Sequence, residues 1–327
     1  MKRYAFLLAL LLLAAPLAAA PSVEELLPLV PADAKVVVAV DGAALKAHPT
    51  VQAWLLEHQA PWSGIEGGGQ AFLREAGLDP LRDVDAMVVA LTFAGQDESV
   101  LALFAGRYDP VSLGAALLKQ GATRVSLGGR DAYRLRDVSD DSDAELVLAP
   151  SPDLVVCGSE PLVAAALSAR GAGSTLVRVE IAVGHVNPAA PFWMVAAIPD
   201  AAHQSAGHGH EGEDVDSTMR GVFQASRAVR RVSGWATVDE NVAFHGFALA
   251  DTVENAELLR DAVKGALAAL RLEAQGKAPE LVDVMREVDV ELDGVNLGVK
   301  GSVPVALLEK LAKEQRHECD ARHGVEI

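Results

Sequence analysis

Residues 153–161, DLVVCGSEP, are restated near the other end of the chain as residues 296–304, NLGVKGSVP. Each copy runs an apolar strand into a Gly-Ser stop, places a proline one residue further on, and continues into an apolar helix, Leu162 to Leu167 in one and Val305 to Leu311 in the other. Looser matches keep the same order: residues 31–40 against 188–197, and 100–109 against 242–251. A period of this kind fixes architecture before any motif is considered, because the unit that is repeated must be the unit that folds.

Within each copy the grammar is strand, helix, hairpin, helix, strand, the order of a split β-α-β plan. In the first half, Lys35 to Val40 predicts a strand, and Asp85 to Phe93 with Ser99 to Tyr108 predicts a hairpin. Asp109, Pro110 and Gly121 supply the cap, first residue and stop of a helix. Arg124 to Leu135, Glu145 to Ala149 and Asp153 to Cys157 read as further strands before a helix from Glu160. In the second half, Phe192 to Ile198 reads as a strand and Val232 to Val238 with Val242 to Leu249 as a hairpin. A helix from Glu254 to Leu270 follows, with Leu259, Val263, Leu267 and Leu270 on one side. Strict alternation of acids with Val288, Val290 and Leu292 then predicts a strand wet on one face. The expected class is α+β: a tandem duplication with mainly antiparallel sheets and helices on one face. The expected divisions are 1–20, 21–173 as the first repeat, 174–186 as linker or one extra strand, 187–316 as the second repeat, and 317–327 as a tail. Merging of the two sheets edge to edge is favoured, since it hides exposed strand edges.

Lys2 and Arg3, the apolar run Ala5 to Leu13 and the small residues Ala18 to Ala20 have the layout of a secretory signal, which predicts export to the periplasm or beyond. A membrane would be a partner only if that segment stayed uncleaved. The formal net charge of −17 repels phosphates, which argues against nucleic acid or anionic lipid as partner. Cys157 and Cys319 are the sole cysteines, too far apart in sequence for a CxxC motif but able to form one bridge in an oxidising compartment.

Few residues carry candidate chemistry. His203, His208 and His210, with Glu213 and Asp214 just beyond, could ligate a divalent transition metal, although the spacing is looser than structural zinc sites use. The competing expectation is a solvated polar loop and no cofactor. His317, Cys319 and His323 form a second cluster in the tail. Asp137, Asp140, Asp141, Asp143 and Glu145 offer oxygens to calcium but lack the glycine and spacing of an EF-hand. Gly64 to Gly69 lacks the Lys and Ser/Thr of a phosphate loop. Ser159 and Ser302 sit where helix caps belong, and His48, His58, His185 and His245 are scattered singly. No arrangement of nucleophile, acid and base emerges, so no catalytic residue is named.

The opening Leu29 to Ala34 (LVPADA), followed by a hydrophobic strand and tandem α+β halves, resembles exported bacterial proteins of uncharacterised function. The resemblance implies an envelope or secreted location and a duplicated fold. The sequence therefore predicts an exported, non-enzymatic α+β protein presenting a binding surface to a protein or other envelope component. A periplasmic metal binder using His203 to His210 is the alternative, and a hydrolase with an unrecognised site the second. The acids Glu287, Asp289, Glu291 and Asp293 against Arg124, Arg130, Arg134 and Arg136 predict oppositely charged surfaces and weak self-association.

Overall fold

The computed structural model describes residues 20–52, 68–94, 97–136, 145–168, 173–198 and 227–311. It is an α+β fold. In chain order its elements are α1 (Val23–Leu26), β1 (Val36–Asp41), α2 (Gly42–Ala47), α3 (Gly68–Ala76), α4 (Pro80–Asp83), β2 (Val84–Ala94), β3 (Asp97–Gly106), α5 (Pro110–Lys119), β4 (Thr123–Leu127), β5 (Arg130–Arg136), β6 (Glu145–Pro150) and β7 (Leu154–Gly158). They continue with α6 (Glu160–Leu167), α7 (Thr175–Ala182), β8 (Phe192–Ala197), β9 (Val229–Val238), β10 (Asn241–Ala250), α8 (Val253–Lys277), α9 (Pro279–Glu287), β11 (Asp289–Asp293) and β12 (Asn296–Pro304). Local signals account for many of the boundaries. Asp109 accepts a hydrogen bond from Val111 N–H and holds the Ser112 hydroxyl at 2.6 Å, so α5 starts where its cap dictates. Gly128 and Gly129, both at positive φ, make the two-residue turn between β4 and β5.

All the described strands join in one twelve-stranded sheet in the order β11-β12-β10-β9-β8-β1-β2-β3-β7-β6-β5-β4. The halves meet where β1 pairs antiparallel with β8, Val38 opposite Met194. Outward from that seam the order is β1-β2-β3-β7-β6 on one side and β8-β9-β10-β12-β11 on the other, with β5 and β4 added beyond β6. The Gly-Ser strands β7 and β12 thus occupy matching places, each beside the second strand of its hairpin.

Helices cover both faces of the sheet rather than one. On the first face α1, α6 and α7 pack through Leu26, Val163 and Val177 onto Val37, Ala39, Val88, Leu103 and Trp193. On the second, α3 and α5 cover β5 to β7 through Phe72, Leu113 and Leu117 against Tyr133 and Val155. At the far end α8 packs Leu259 and Val263 over Val290 and Leu297. Strand alternation explains this: Val155 and Val156 are neighbours in sequence but belong to opposite cores.

Several expectations change. The segment 174–186 is neither linker nor strand: Thr175–Ala182 is helical, capped by Ser174, whose hydroxyl accepts from Val177 N–H. Its buried residues Val177 and Glu180 are three apart, a helical spacing that its β-branched composition masks. Ser302 is not a helix cap, because β12 runs on through Gly301 and Ser302, which pair with Phe244 and Ala243. Ser159 does precede α6 but makes no capping bond. Finally, the acids of β11 have β6 as their topological counterpart, not the arginine hairpin β4–β5, which lies at the opposite edge. Both charged sets are paired internally, Lys300 with Asp289 and Glu291, Arg124 with Asp131, and Arg134 with Glu160. Leu270, expected on the core side of α8, is 47% exposed.

Candidate functional site

Where β1, β2 and β8 lie side by side, the two faces of the sheet differ sharply. Val37, Ala39, Val88, Ala90, Trp193 and Val195 are buried under α1, α6 and α7. Their sequence neighbours on the second face, Val36, Val38 and Val40 of β1, Met87, Val89 and Leu91 of β2, and Met194 and Ala196 of β8, remain half-exposed, and Phe192 is 36% exposed. Among the described residues, none of these nine belongs to a helix-covered core.

The pairing registers align them into rows. Phe104, Met87, Val40, Phe192, Ala236 and Phe244 form one row, and Ala102, Val89, Val38, Met194, Gly234 and Gly246 the next. The third row is Val100, Leu91, Val36, Ala196, Val232 and Ala248. Not one of the eighteen positions is polar. At about 4.8 Å per strand the six columns span about 24 Å. At the margins Phe104 packs against the α3/α5 core and Val232 and Ala248 against the α8 core, so the open part of the field, the nine residues of β1, β2 and β8, lies between two helical layers. A strand with one face in water ordinarily carries polar residues on that face; the open face of β1, β2 and β8 carries none, an arrangement that interaction surfaces commonly have.

The first face of the second half carries the densest polar chemistry. Glu180 of α7, 1% exposed, accepts hydrogen bonds from the Ser233 hydroxyl at 2.7 Å and from Arg231, and lies 3.1 Å from His185 Nδ1. Burial pushes the Glu180 carboxyl up, but the bonds from Arg231, Ser233 and His185, with the charge of Arg231, hold it below the usual carboxylate range. His185 stacks on Phe247 with ring centres 4.5 Å apart, and His245 stacks on Trp235 at 3.9 Å. A cross-strand line runs from Trp193 through Trp235 and His245 to Lys300 and Asp289. Burial, then the charge of Lys300, keeps His245 below the ordinary imidazole range. Ser233 and His185 both meet the Glu180 carboxylate instead of each other, and Ser233 is buried, so this cluster does not assemble a hydroxyl activated by an imidazole. Its geometry anchors the inter-half helix α7 to β9.

The residues singled out in the sequence fare differently. His203, His208 and His210, Cys319, and the acids 137 to 143 lie outside the described residues. Among the described residues no three metal-ligating side chains come together. Cys157 is a free thiol on the apolar second face, and burial raises it to about 11. His48 reaches across the halves to Asp239, 3.3 Å from its Oδ1. His185 and His245, solitary in sequence, share one face of the second half. The pairing of Trp235 with His245 was legible, since a turn at Asp239 and Glu240 sets them opposite; the partners of Glu180 had no such signal.

No family model and no curated protein matches the chain. Solved structures that resemble it include crystal form I of TP0453, 9% identical over 88% of this chain and 96% of that one with a TM-score of 0.46, and crystal form III of TP0453, 8% identical over 85% and 93% with a TM-score of 0.48. Likeness at this level carries no inference about function.

Proposed function

We propose that the protein is an exported, non-enzymatic binding protein of the cell envelope, a duplicated α+β unit whose apolar second face over β2, β1 and β8 receives a partner protein. The observation that carries this is the contrast across adjacent residues of the same strands: Val37 and Val195 are fully buried while Val38 and Met194, one residue away, are not. The matching order of strands on either side of the β1/β8 seam supports duplication. An uncharged field in a chain of net charge −17 selects its partner by shape and apolar contact, and the surrounding negative charge disfavours anionic lipid. A sheet face between two helical layers suits an amphipathic helix, the element that sheets ordinarily pack against.

Photocrosslinking in living cells tests the proposal. A photoreactive amino acid replacing Val89 or Met194 is expected to give one discrete protein adduct, and the same group replacing the exposed Asp239 none. No protein adduct from the apolar face, or the same adducts from all three positions, overturns it.

A further inference from the structure

Helix α8 presents a second surface that no described residue is seen to cover, on its side away from the sheet. Leu259, Val263 and Leu267 turn inward onto β11 and β12. On the opposite side, where a surface helix normally carries polar residues, stand Leu258, 57% exposed, and Leu272, 70% exposed. Gly265 lies midway between them, seven residues from each, so all three fall on one line along the helix. Ala262 and Ala269 fill the intervals. A side chain at Gly265 would meet nothing within 4 Å, so nothing inside the described molecule accounts for a glycine in the middle of this helix, where alanine is the better helix former.

The spacing is palindromic about Gly265. An antiparallel helix laid across this surface, with a twofold axis through Gly265, brings Leu258 of each helix against Leu272 of the other, and the absence of a side chain at the axis lets the backbones approach. A foreign helix would need no such symmetry; a second copy of the same chain requires it, because an isologous interface must be complementary to itself. The axis also puts Lys264, which has no ion-pair partner among the described residues, on the same side as the oppositely charged Asp261 of the second copy. We infer that the protein self-associates as a weak twofold dimer through an antiparallel pairing of α8 centred on Gly265. One helix on one helix is a small contact, in the class of transient interfaces.

Two measurements decide it. Sedimentation equilibrium of the purified protein is expected to show reversible dimers at concentrations on the order of 100 μM, as for a small interface. Leu272→Glu is expected to leave only monomer, with an unchanged circular dichroism spectrum and melting curve. In a background of Cys157→Ser and Cys319→Ser, mild oxidation of a mixture of Leu258→Cys and Leu272→Cys proteins is expected to yield disulfide-linked dimer, while either protein alone yields none. A monomer at every concentration, a dimer indifferent to Leu272→Glu, or crosslinking of Leu258→Cys with itself overturns the inference. The photocrosslinking at Val89 and Met194 is independent of all of these.

Discussion

The carboxylate of Glu180 accepts the hydroxyl of Ser233 at 2.7 Å across fifty-three residues of sequence, joining the helix between the halves to the second strand of the second half. Arg231, on the same strand, bonds the other oxygen, and His185 closes the set. A buried carboxylate is tolerable only because every one of these donors is present. Glu180 is thus the polar fastening of α7 to the sheet, and its energetics are open to direct test.

Glu180→Ala should cost about 3 kcal/mol of stability, the usual scale for removing one member of a buried, hydrogen-bonded ion pair, and Glu180→Gln less. The folded-state pKa of Glu180 is depressed, so the ionised group contributes its full stability above the unfolded carboxylate value of about 4.3 and loses it as pH falls through the lower folded value. Urea titrations should therefore show a constant gap between the natural protein and Glu180→Gln from pH 6 to 8, as expected from about two units above the unfolded value. The gap should close below about pH 4. A gap that widens on acidification would contradict the assignment.

The two Gly-Ser corners should respond unequally to a methyl group. A Cβ at Gly158, whose φ is 156°, would lie 2.1 Å from the Val100 carbonyl oxygen, a backbone atom that cannot step aside. At Gly301, which has no positive φ, the nearest obstacle is the ring of Phe244 at 2.6 Å, and that half-exposed side chain can turn. Gly158→Ala should cost about 2–4 kcal/mol and Gly301→Ala about 1 kcal/mol. Equal losses in chemical denaturation would restore the equivalence that the sequence suggests and the backbone denies.

His245 should titrate below the ordinary imidazole range, and Lys300→Met should raise its pKa while leaving it depressed, because burial is the larger cause. Since its folded pKa is below the unfolded value of about 6.5, neutral His245 contributes stability above that pH and loses it on acidification. Proton NMR of the imidazole resonances checks both points; an unmoved or downward shift in Lys300→Met would remove the lysine from the account.

A charge should be tolerated on one face of β8 and not on the other. Met194→Asp on the half-exposed face should cost about 1 kcal/mol or less, whereas Val195→Asp, fully buried, should lose about 4 kcal/mol or more. Thermal melts of the two variants side by side suffice. If both unfold the protein, the second face over β8 is not available to a partner.

Much of the secondary structure was already legible. Asp109, Pro110 and Gly121 bound α5 through contacts within a few residues, and the hairpins β2–β3 and β9–β10 follow from strands rich in valine, leucine and aromatic residues around short turns. Such features depend on the chain's immediate neighbourhood, which sequence displays directly. The α+β class follows from them.

Tertiary structure alone decided which face of each strand is covered. Val36 to Val40 is apolar at every position, so no alternation distinguishes Val37, at the core, from Val38, on the open face; only the helices packed on one side do. The same holds for Glu180, whose meeting with Ser233 requires α7 to pack on the paired strands β8 and β9, fifty-three residues further along the chain. Gly158 and Gly301 share a written motif yet differ in backbone, because β12 continues past the point where β7 stops. Sequence specifies the strands and their repetition, whereas the sheet order, its two unequal faces and the buried carboxylate come from pairings between distant segments, which local patterns do not encode.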